Sequence, residues 1–211
     1  MLKEALFRLA KSPLMGRAVG LAFRWCPWAL PVEVLLRGRR VIALRHPRPC
    51  YDAHVILSPR RPVATLLQLR DLPEIWSAAQ EVASRGDYAQ GFSLVANGGR
   101  RQEVQQVHFH LFAGHRLVRG RFCPDGTERL AHANAALRVL EPTQPEWEAH
   151  LMLVPQPGVD GAAYLAAVPD CLRQQDALRG LTAKGCSLVH QRGEEQGLPV
   201  FHIVAGKRLN A

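Results

Sequence analysis

Apolar and polar positions between residues 50 and 115 follow two different periods. The run HVILSP at 54–59 is short and apolar, as in a strand. It is followed by a segment whose apolar residues recur at helical spacing, at Ile75, Ala78, Ala79 and Val82. That spacing predicts a helix, with Asp71 as its N-cap and Glu74 placed for a capping box. Two further strands, GFSLVAN and VQQVHFHLF, are predicted on either side of a turn at 98–101.

The same succession of elements occurs twice along the chain. Three blocks match in order: the segment around His54 with that around His150, GFSLV with GCSLV, and HLFAG with HIVAG. The matched blocks lie 96, 94 and 92 residues apart, a drift that small deletions in surface loops produce. The sequence therefore predicts two copies of one unit.

Each copy is expected to contain antiparallel strands with a helix on one face, which is an α+β layer. We place one unit at 35–115 and a degenerate repeat at 130–211, with a linker at 116–129 and a helical segment at 1–34. Two units related by pseudo-symmetry would join their sheets and cover each other's edges. The prediction is a single chain arranged as a homodimer would be.

Composition and charge narrow the classes of ligand. Hydrophobic residues make up 47% of the 211 residues, and the formal net charge of +9 favours anionic partners. Nucleotides, nucleic acid and acidic membrane surfaces would all satisfy that charge. The segment 1–34 is basic and partly amphipathic, which would suit a surface anchor. Because Pro13 and Gly16 interrupt its helical pattern early, we expect it to pack on the domain instead.

Cysteine usage and hydropathy indicate a location. The five cysteines are scattered and form no CxxC pair, which argues against a zinc knuckle and fits a reducing compartment. The sequence has no uninterrupted apolar run of roughly 18 residues and no convincing signal peptide. We expect a cytoplasmic protein without a membrane span.

A row of polar side chains is predicted on one face of the strand VQQVHFHLF. Alternation places Gln106, His108 and His110 on that face, whereas Val107 and its alternate neighbours point into the core. Satisfied structural histidines are one interpretation, and a zinc or copper site with His54 as third ligand is another. No acidic or cysteine ligand accompanies the pair at a recognisable spacing, so we predict no metal. The third interpretation is chemistry on phosphorus, where imidazole acts as nucleophile and proton carrier.

These residues resemble a known family. The pattern Gln102-x-Val104-x-Gln106-x-His108-x-His110-Leu111-Phe112-Ala113-Gly114 is similar to the signature of the histidine-triad (HIT) family. The likeness extends to Ala53–Val63, which resembles the family's upstream strand and basic turn, and to Leu94–Gly98, which resembles the strand end that carries an asparagine. It covers 35–115 and, as a degenerate copy, 130–211. The resemblance implies an antiparallel HIT-like sheet.

The resemblance also implies roles for individual residues. His108 matches the histidine that attacks the α-phosphate of a nucleotide and forms a nucleotidyl-histidine intermediate. His110 matches the histidine that assists the leaving group. The expected substrate-binding residues are His54, Asn97, Gln102 and Gln106. The family's apolar nucleoside pocket is expected around Val41, Ile42 and Leu44. Apart from the resemblance, two interpretations stay open for the basic residues near the site: they hold the departing phosphates, or they are solvated turn charges. These residues are Arg60, Arg61, Arg100 and Arg101.

Two departures from the family pattern affect the prediction. Gln106 stands where the family has its first histidine, although it keeps the main-chain carbonyl that orients the nucleophile. In the second copy Val200 matches His108 and Leu198 matches Gln106, while His150 and His202 persist. Valine cannot attack phosphorus, so the second copy is predicted to be catalytically inactive.

The resulting prediction is an enzyme, a nucleotide hydrolase or nucleotidyl transferase that acts on nucleoside phosphoramidates or dinucleoside polyphosphates. Its partner would be a small nucleotide substrate, with no cofactor, no metal, no nucleic acid and no second subunit. The alternative is a HIT-like nucleotide sensor that has lost turnover. Loss of the first histidine and the positive charge favour the sensor, whereas the joint presence of His54, Asn97, Gln102, His108 and His110 favours the enzyme.

Overall fold

The computed structural model describes residues 32–51, 53–86, 88, 91–113, 124, 126–145, 147–191 and 197–206. In the first half the strands are β1 (Val34–Arg37), β2 (Val41–Arg45), β3 (Val55–Pro59), β4 (Phe92–Gly98) and β5 (Phe109–Ala113), with helix α1 (Leu72–Ser84) between β3 and β4. In the second half the elements are β6 (Arg129–Ala133), β7 (Leu137–Glu141), β8 (Ala149–Pro155), α2 (Gly161–Arg179), α3 (Leu181–Lys184), β9 (Cys186–Gln191) and β10 (Phe201–Ala205). Short 3₁₀ helices occur at Leu66–Gln68 and Gly99–Arg101.

Within the described residues, ten strands form one antiparallel sheet, in the order β1-β2-β3-β5-β4-β9-β10-β8-β7-β6. The order is the same from either edge when β6 to β10 take the places of β1 to β5. The halves join where β4 pairs with β9, and Val95 lies opposite Val189 at this junction. The predicted α+β class with an antiparallel sheet and helices is confirmed.

The main core lies between one face of this sheet and the helices. Leucine and valine side chains from alternate strand positions pack there against α1 and α2, including Leu57, Leu94, Leu111, Leu151 and Ile203. The opposite face carries smaller buried clusters, one of them centred on Val95, Phe112 and Val189. The alternation of strand side chains therefore separates a helix-covered core face from a second face, called the histidine face here because it holds His54 and His110.

Helix α1 begins where the sequence predicts but is fixed differently. Its buried stripe comprises Leu72, Ile75, Ala78, Ala79 and Val82, which confirms the predicted apolar face. Asp71 occupies the N-cap position, yet its side chain makes no capping hydrogen bond. Its carboxylate instead accepts from Arg61 Nε at 2.7 Å. The predicted capping box is therefore wrong, and an ion pair to the preceding loop takes its place.

Strand β5 is shorter than the pattern VQQVHFHLF predicts, because it begins at Phe109. Its last ladder pair with β3 joins Phe109 to Leu57. Two residues further, β3 ends at Pro59, which has no N–H to continue a ladder. Side chains replace the ladder here, and Ser58 Oγ donates to the Val107 carbonyl at 2.9 Å. The segment before Phe109 is thus shaped by side-chain bonds.

Two predicted segments fall largely outside the described residues. Only 32–34 of the helical segment 1–34 are described, and Val34 there belongs to β1. Of the linker 116–129, only 124 and 126–129 are described. Within the described part of the chain, no helix has both the length and the apolar character needed to cross a membrane.

Candidate active site

His108 lies just before β5 and is held by the main chain. Its Nδ1 is 2.9 Å from the carbonyl oxygen of Gln106. A carbonyl can only accept, so Nδ1 carries the proton and the lone pair of the neutral ring is on Nε2. Desolvation lowers the pKa of His108 below its usual value, against the opposing effects of this hydrogen bond and of Glu103. The ring is therefore neutral at pH 7, with an unprotonated Nε2.

A second hydrogen-bonded chain fixes His54 and His110. The main-chain N–H of Cys50 donates to His54 Nδ1 at 3.4 Å, which places the proton of His54 on Nε2. His54 Nε2 lies 3.0 Å from His110 Nδ1. His54 thus donates, His110 accepts, and the proton of His110 is on Nε2. The ring centroids of His108 and His110 are 5.0 Å apart. The Nε2–H of His110 therefore lies in the same site as His108, the candidate nucleophile.

His46 is a member of this cluster that was not among the predicted site residues. Its ring stacks on that of His54, with centroids 3.9 Å apart and planes 9° from parallel. Its main-chain N–H donates to the His54 carbonyl at 3.0 Å, so it continues the pairing of β2 with β3. The signal was present in the sequence, because His46 alternates with Ile42 and Leu44 on one strand face.

Three of the imidazoles lie close enough together to be considered as ligands of one metal ion. His46, His54 and His110 have nitrogen atoms within 4.8 Å of one another, a spacing that three ligands of one ion satisfy. A metal must lie close to the plane of each ring that binds it. The rings of His46 and His54 are stacked almost in parallel, so one ion cannot lie in both planes. The arrangement does not fit a three-histidine metal site without rotation of a ring.

Burial keeps the cluster uncharged. Desolvation lowers the pKa of His54 to about 3, with further contributions from His46 and His108. Desolvation likewise lowers the pKa of His110 well below its usual value, and the neighbouring imidazoles add to the effect. The pKa of His46 is lowered for the same primary reason. The site at neutral pH is a set of neutral donors and acceptors, and an anion bound there would favour proton uptake.

Gln106 is a structural residue in this arrangement. Its side chain is 1% exposed, and Oε1 accepts from the Val63 N–H at 3.0 Å. Nε2 lies 3.1 Å from each of the carbonyl oxygens of Pro59 and Arg61. Its polar atoms therefore bind the loop after β3, and a contact of this side chain with substrate stays a prediction. Its main-chain carbonyl, by contrast, holds His108 as expected.

The other predicted binding residues are engaged with protein groups. Gln102 Nε2 donates to the carbonyls of Ala64 at 2.6 Å and Val104 at 2.8 Å. Asn97 Oδ1 accepts from Ser187 Oγ at 2.8 Å. Of the basic residues, Arg61 is paired with Asp71, Arg60 donates to the Gly38 carbonyl, Arg101 donates to Ser187, and Arg100 is exposed. The fixed arginines are thus held by partners from the protein itself.

The three residues predicted to line a nucleoside pocket lie on two different faces of the sheet. Ile42 and Leu44 pack with Val34 and Ile56 on the histidine face of the sheet. Val41 lies in the helix-side core. Adjacent strand residues point to opposite faces, so Val41 is excluded from any pocket that Ile42 and Leu44 line.

The second half reproduces part of the site. His150 Nε2 is 3.1 Å from His202 Nδ1, with ring centroids 5.3 Å apart, against 5.2 Å for His54 and His110. Trp147 contacts His150 edge-on, as Tyr51 contacts His54. Val200 packs with Met152 and Val154. The hydrogen-bonded pair is kept in the second half, while the position equivalent to His108 is apolar.

The fold and the site define an α+β protein with neutral histidines on one face of a continuous antiparallel sheet. Residues 29–117 match the family model of the HIT domain. The resemblance on which the sequence analysis relied is confirmed for this half.

Some solved structures match about half of this chain, and others match most of it. A HIT family hydrolase from Legionella pneumophila Philadelphia 1 is 26% identical over 47% of this chain and 96% of its own, with a TM-score of 0.42. An ADP-glucose phosphorylase from Arabidopsis thaliana covers 89% of this chain and 80% of its own at 8% identity, with a TM-score of 0.62. A DUF4931 family protein from Bacillus cereus covers 82% of this chain and 85% of its own at 10% identity, with a TM-score of 0.58. The two long matches show a shared fold across both halves.

Proposed function

We propose that the protein is a nucleotide hydrolase or nucleotidyl transferase that cleaves at the α-phosphate through a nucleotidyl-histidine intermediate on His108. The observation that carries this proposal is the 2.9 Å contact between His108 Nδ1 and the Gln106 carbonyl. It fixes the tautomer in which Nε2 is an unprotonated nucleophile. The lowered pKa of His108 keeps that form populated at neutral pH. Gln106 thus supplies through its main chain what the nucleophile requires.

The proposed reaction has two steps. His108 Nε2 forms a bond to the α-phosphorus, while the bond from phosphorus to the leaving oxygen or nitrogen breaks. The leaving atom takes a proton from His110, which becomes an imidazolium by taking up a proton when the anionic substrate binds. Water then attacks the phosphorus and gives its proton to His110, which breaks the bond to His108 and releases a nucleoside monophosphate. The Nδ1–H of His108 stays on the Gln106 carbonyl and stabilises the charged ring of the intermediate. These steps use no metal and no cofactor.

The proposed substrates are nucleoside phosphoramidates and dinucleoside polyphosphates. Ile42 and Leu44 offer an apolar surface on the histidine face that suits a base and ribose. Asn97 and Gln102 are proposed to lie on the phosphate side, Gln102 after release of one of its two main-chain contacts. His54 is proposed to fix the His110 tautomer and to approach the phosphate.

We also propose that 35–115 and 130–211 are tandem copies and that the chain is a monomeric, cytoplasmic pseudo-dimer. The mirrored strand order supports this division. The matched His54–His110 and His150–His202 pairs support it independently. Val200 removes the nucleophile from the second copy, which leaves one catalytic site per chain.

The central prediction concerns His108→Ala. Wild type and this variant are incubated with a nucleoside phosphoramidate, a diadenosine polyphosphate and a nucleotide sugar, each with and without inorganic phosphate. Wild type is expected to release monophosphate and the variant to lose all turnover, because no other group attacks phosphorus. Chromatography measures the products, and intact-protein mass spectrometry after acid-free quenching detects the nucleotidyl adduct. His190→Ala, which removes a histidine of the helix-side core, is the control for the loss of any histidine.

The alternative function is a nucleotide sensor without turnover. The engagement of both amide hydrogens of Gln102 by main-chain carbonyls favours it, since that amide must be released before it can reach a substrate. A sensor predicts no product from any of the three substrates and AMP binding that survives His108→Ala. Monophosphate release by wild type would contradict it.

A further inference from the structure

Ser187, on strand β9 of the second half, lies next to the proposed phosphate side of the site in the first half. We propose that Ser187 is a positioning residue that sets Asn97 with its amide N–H groups toward the substrate phosphate. This inference rests on the proposed function, since it assigns Asn97 a phosphate as its ligand. It gives the second half a role in the reaction, although that half has no nucleophile.

The sheet register places Asn97 between Ser187 and His108. On one side, Asn97 pairs directly with Ser187 of β9. On the other side, Ala96 pairs with Phe109, so the residue opposite Asn97 along the extension of β5 is His108. Val95 pairs with His110, and alternation puts Asn97 on the same face as Val95. The Asn97 side chain is therefore on the histidine face.

The direction of the hydrogen bonds between Arg101, Ser187 and Asn97 follows from Arg101, which can only donate. Arg101 Nη1 lies 3.1 Å from Ser187 Oγ, and a guanidinium can only donate. Ser187 therefore accepts from Arg101 and gives its one hydroxyl hydrogen to Asn97 Oδ1 at 2.8 Å. With its oxygen turned toward β9, the Asn97 carboxamide turns its nitrogen away from β9, toward the side on which β5 and His108 lie. Without Ser187 either orientation of the amide is allowed.

The loop that carries Arg101 is seated on the second half. A Cβ at Gly99 would lie 1.8 Å from the Thr182 carbonyl oxygen, so the two main chains are in close contact. Gly185 is also close to this loop, because a Cβ at Gly185 would lie 3.0 Å from Arg101 Cγ. Ser187 is fully buried beside these contacts. The arginine and serine are thus fixed by packing before a substrate arrives.

The β4–β9 junction contains a second pair of a serine and an amide residue, on the side where no nucleophile is present. Ser93 pairs with Gln191 as Ser187 pairs with Asn97. The side-chain oxygen of Gln191 is buried and makes no hydrogen bond within the described part of the chain. A hydrogen bond from a serine hydroxyl to the amide oxygen, like the one that orients Asn97, is therefore absent at Gln191 within the described residues. Ser93 is the matched control for a test of Ser187.

The test compares Ser187→Ala, Ser187→Thr and Ser93→Ala. Each full-length variant is assayed for kcat and KM with the phosphoramidate and for AMP affinity by calorimetry. Ser187→Ala is expected to lower kcat and AMP affinity about five- to tenfold, the loss of one orienting hydrogen bond. Ser187→Thr, which keeps the hydroxyl, is expected to restore most of both, and Ser93→Ala to leave both unchanged.

A double-variant comparison separates positioning from general damage. If Ser187 acts through Asn97, Ser187→Ala causes no further loss in an Asn97→Ala background. A full additional loss there, or a Ser187→Ala variant equal to wild type in kcat and AMP affinity, would overturn the inference while leaving the proposed function intact. If wild type shows no turnover, the proposed function fails, and the AMP affinities still decide whether Ser187 sets Asn97. Absence of both turnover and AMP binding in wild type overturns both.

Discussion

At the scale of single residues, the main chain and the side chain of Gln106 have different roles. The main-chain role, orientation of His108, follows from the family resemblance and matches the observed contact. The side-chain role did not follow, because the sequence places Gln106 on a strand face with the histidines. The Gln106 amide binds main-chain groups at 59–63 because β3 ends at Pro59. A buried amide satisfies three main-chain groups there, for which alternation gives no signal.

Gln106→Met tests this division. Methionine has nearly the same length but leaves the Val63 N–H and the Pro59 and Arg61 carbonyls without their partner. The free energy of unfolding is expected to fall by roughly 2–4 kcal/mol, since unsatisfied buried polar groups are costly. Turnover by the folded variant is expected to persist, because the carbonyl that holds His108 remains. Urea unfolding and initial rates measure the two effects.

The control for this substitution is Gln105→Met, whose side chain is exposed. Its unfolding free energy should stay within about 0.5 kcal/mol of wild type. A Gln106→Met variant as stable as Gln105→Met would contradict the structural role of the Gln106 amide.

At the scale of elements, regular structure was predictable where a hydrophobic period runs uninterrupted. The buried face of α1 follows directly from its apolar spacing. The exceptions are both at element ends, where one long-range side chain decides. Arg61 takes the Asp71 carboxylate away from the helix terminus, and Pro59 ends the pairing of β3 with β5. Short-range patterns do not contain these partners, since they come from other elements of the fold.

Gly99 provides a test at this scale. It has φ of +59° and its Cβ position is occupied by the Thr182 main chain. Gly126 also has a positive φ, of +88°, but no atom lies within 4 Å of its Cβ position. Gly126→Ala is expected to cost about 1–2 kcal/mol of unfolding free energy from backbone strain alone.

Gly99→Ala should cost clearly more, on the order of 3 kcal/mol or above, because main-chain atoms must also move. It should lower kcat as well, since the loop that carries Arg101 is displaced from the second half. Urea unfolding and steady-state rates compare the two alanine variants. Equal losses in both would show that the close approach between Gly99 and Thr182 is not important for stability.

At the scale of the whole molecule, three spaced blocks in the sequence predicted two similar units, and the strand order agrees with that arrangement. The composition of the junction was not predictable in the same way. Which serine meets which amide depends on the register of β4 with β9, and residues about 90 positions apart give no local signal for it. The sequence therefore contains a signal for two similar units, which stay a prediction, and no signal for the proposed role of Ser187.

The whole molecule should lose stability in acid because its buried histidines stay neutral. The pKa of His54 is lowered to about 3 and that of His150 to about 4, while unfolded histidine titrates near pH 6.5. Between these values the unfolded chain binds more protons, so the free energy of unfolding falls as pH falls below about 6.5. Each such histidine contributes a slope of up to about 1.4 kcal/mol per pH unit.

Urea unfolding at pH 7, 6 and 5 measures this slope. His150→Asn removes one buried imidazole outside the catalytic cluster. It should reduce the slope of unfolding free energy against pH by up to about 1.4 kcal/mol per pH unit. An unfolding free energy that is constant over this range would contradict the neutral state of the histidines.

The junction between β4 and β9 joins two parts of one covalent chain. In an assembly of separate subunits such a junction obeys mass action and opens on dilution. Here its local concentration is set by the connecting chain and is the same at every protein concentration. The proposed site takes Ser187 from the far side of that junction and therefore needs no second molecule to supply it, however scarce the protein is in the cell.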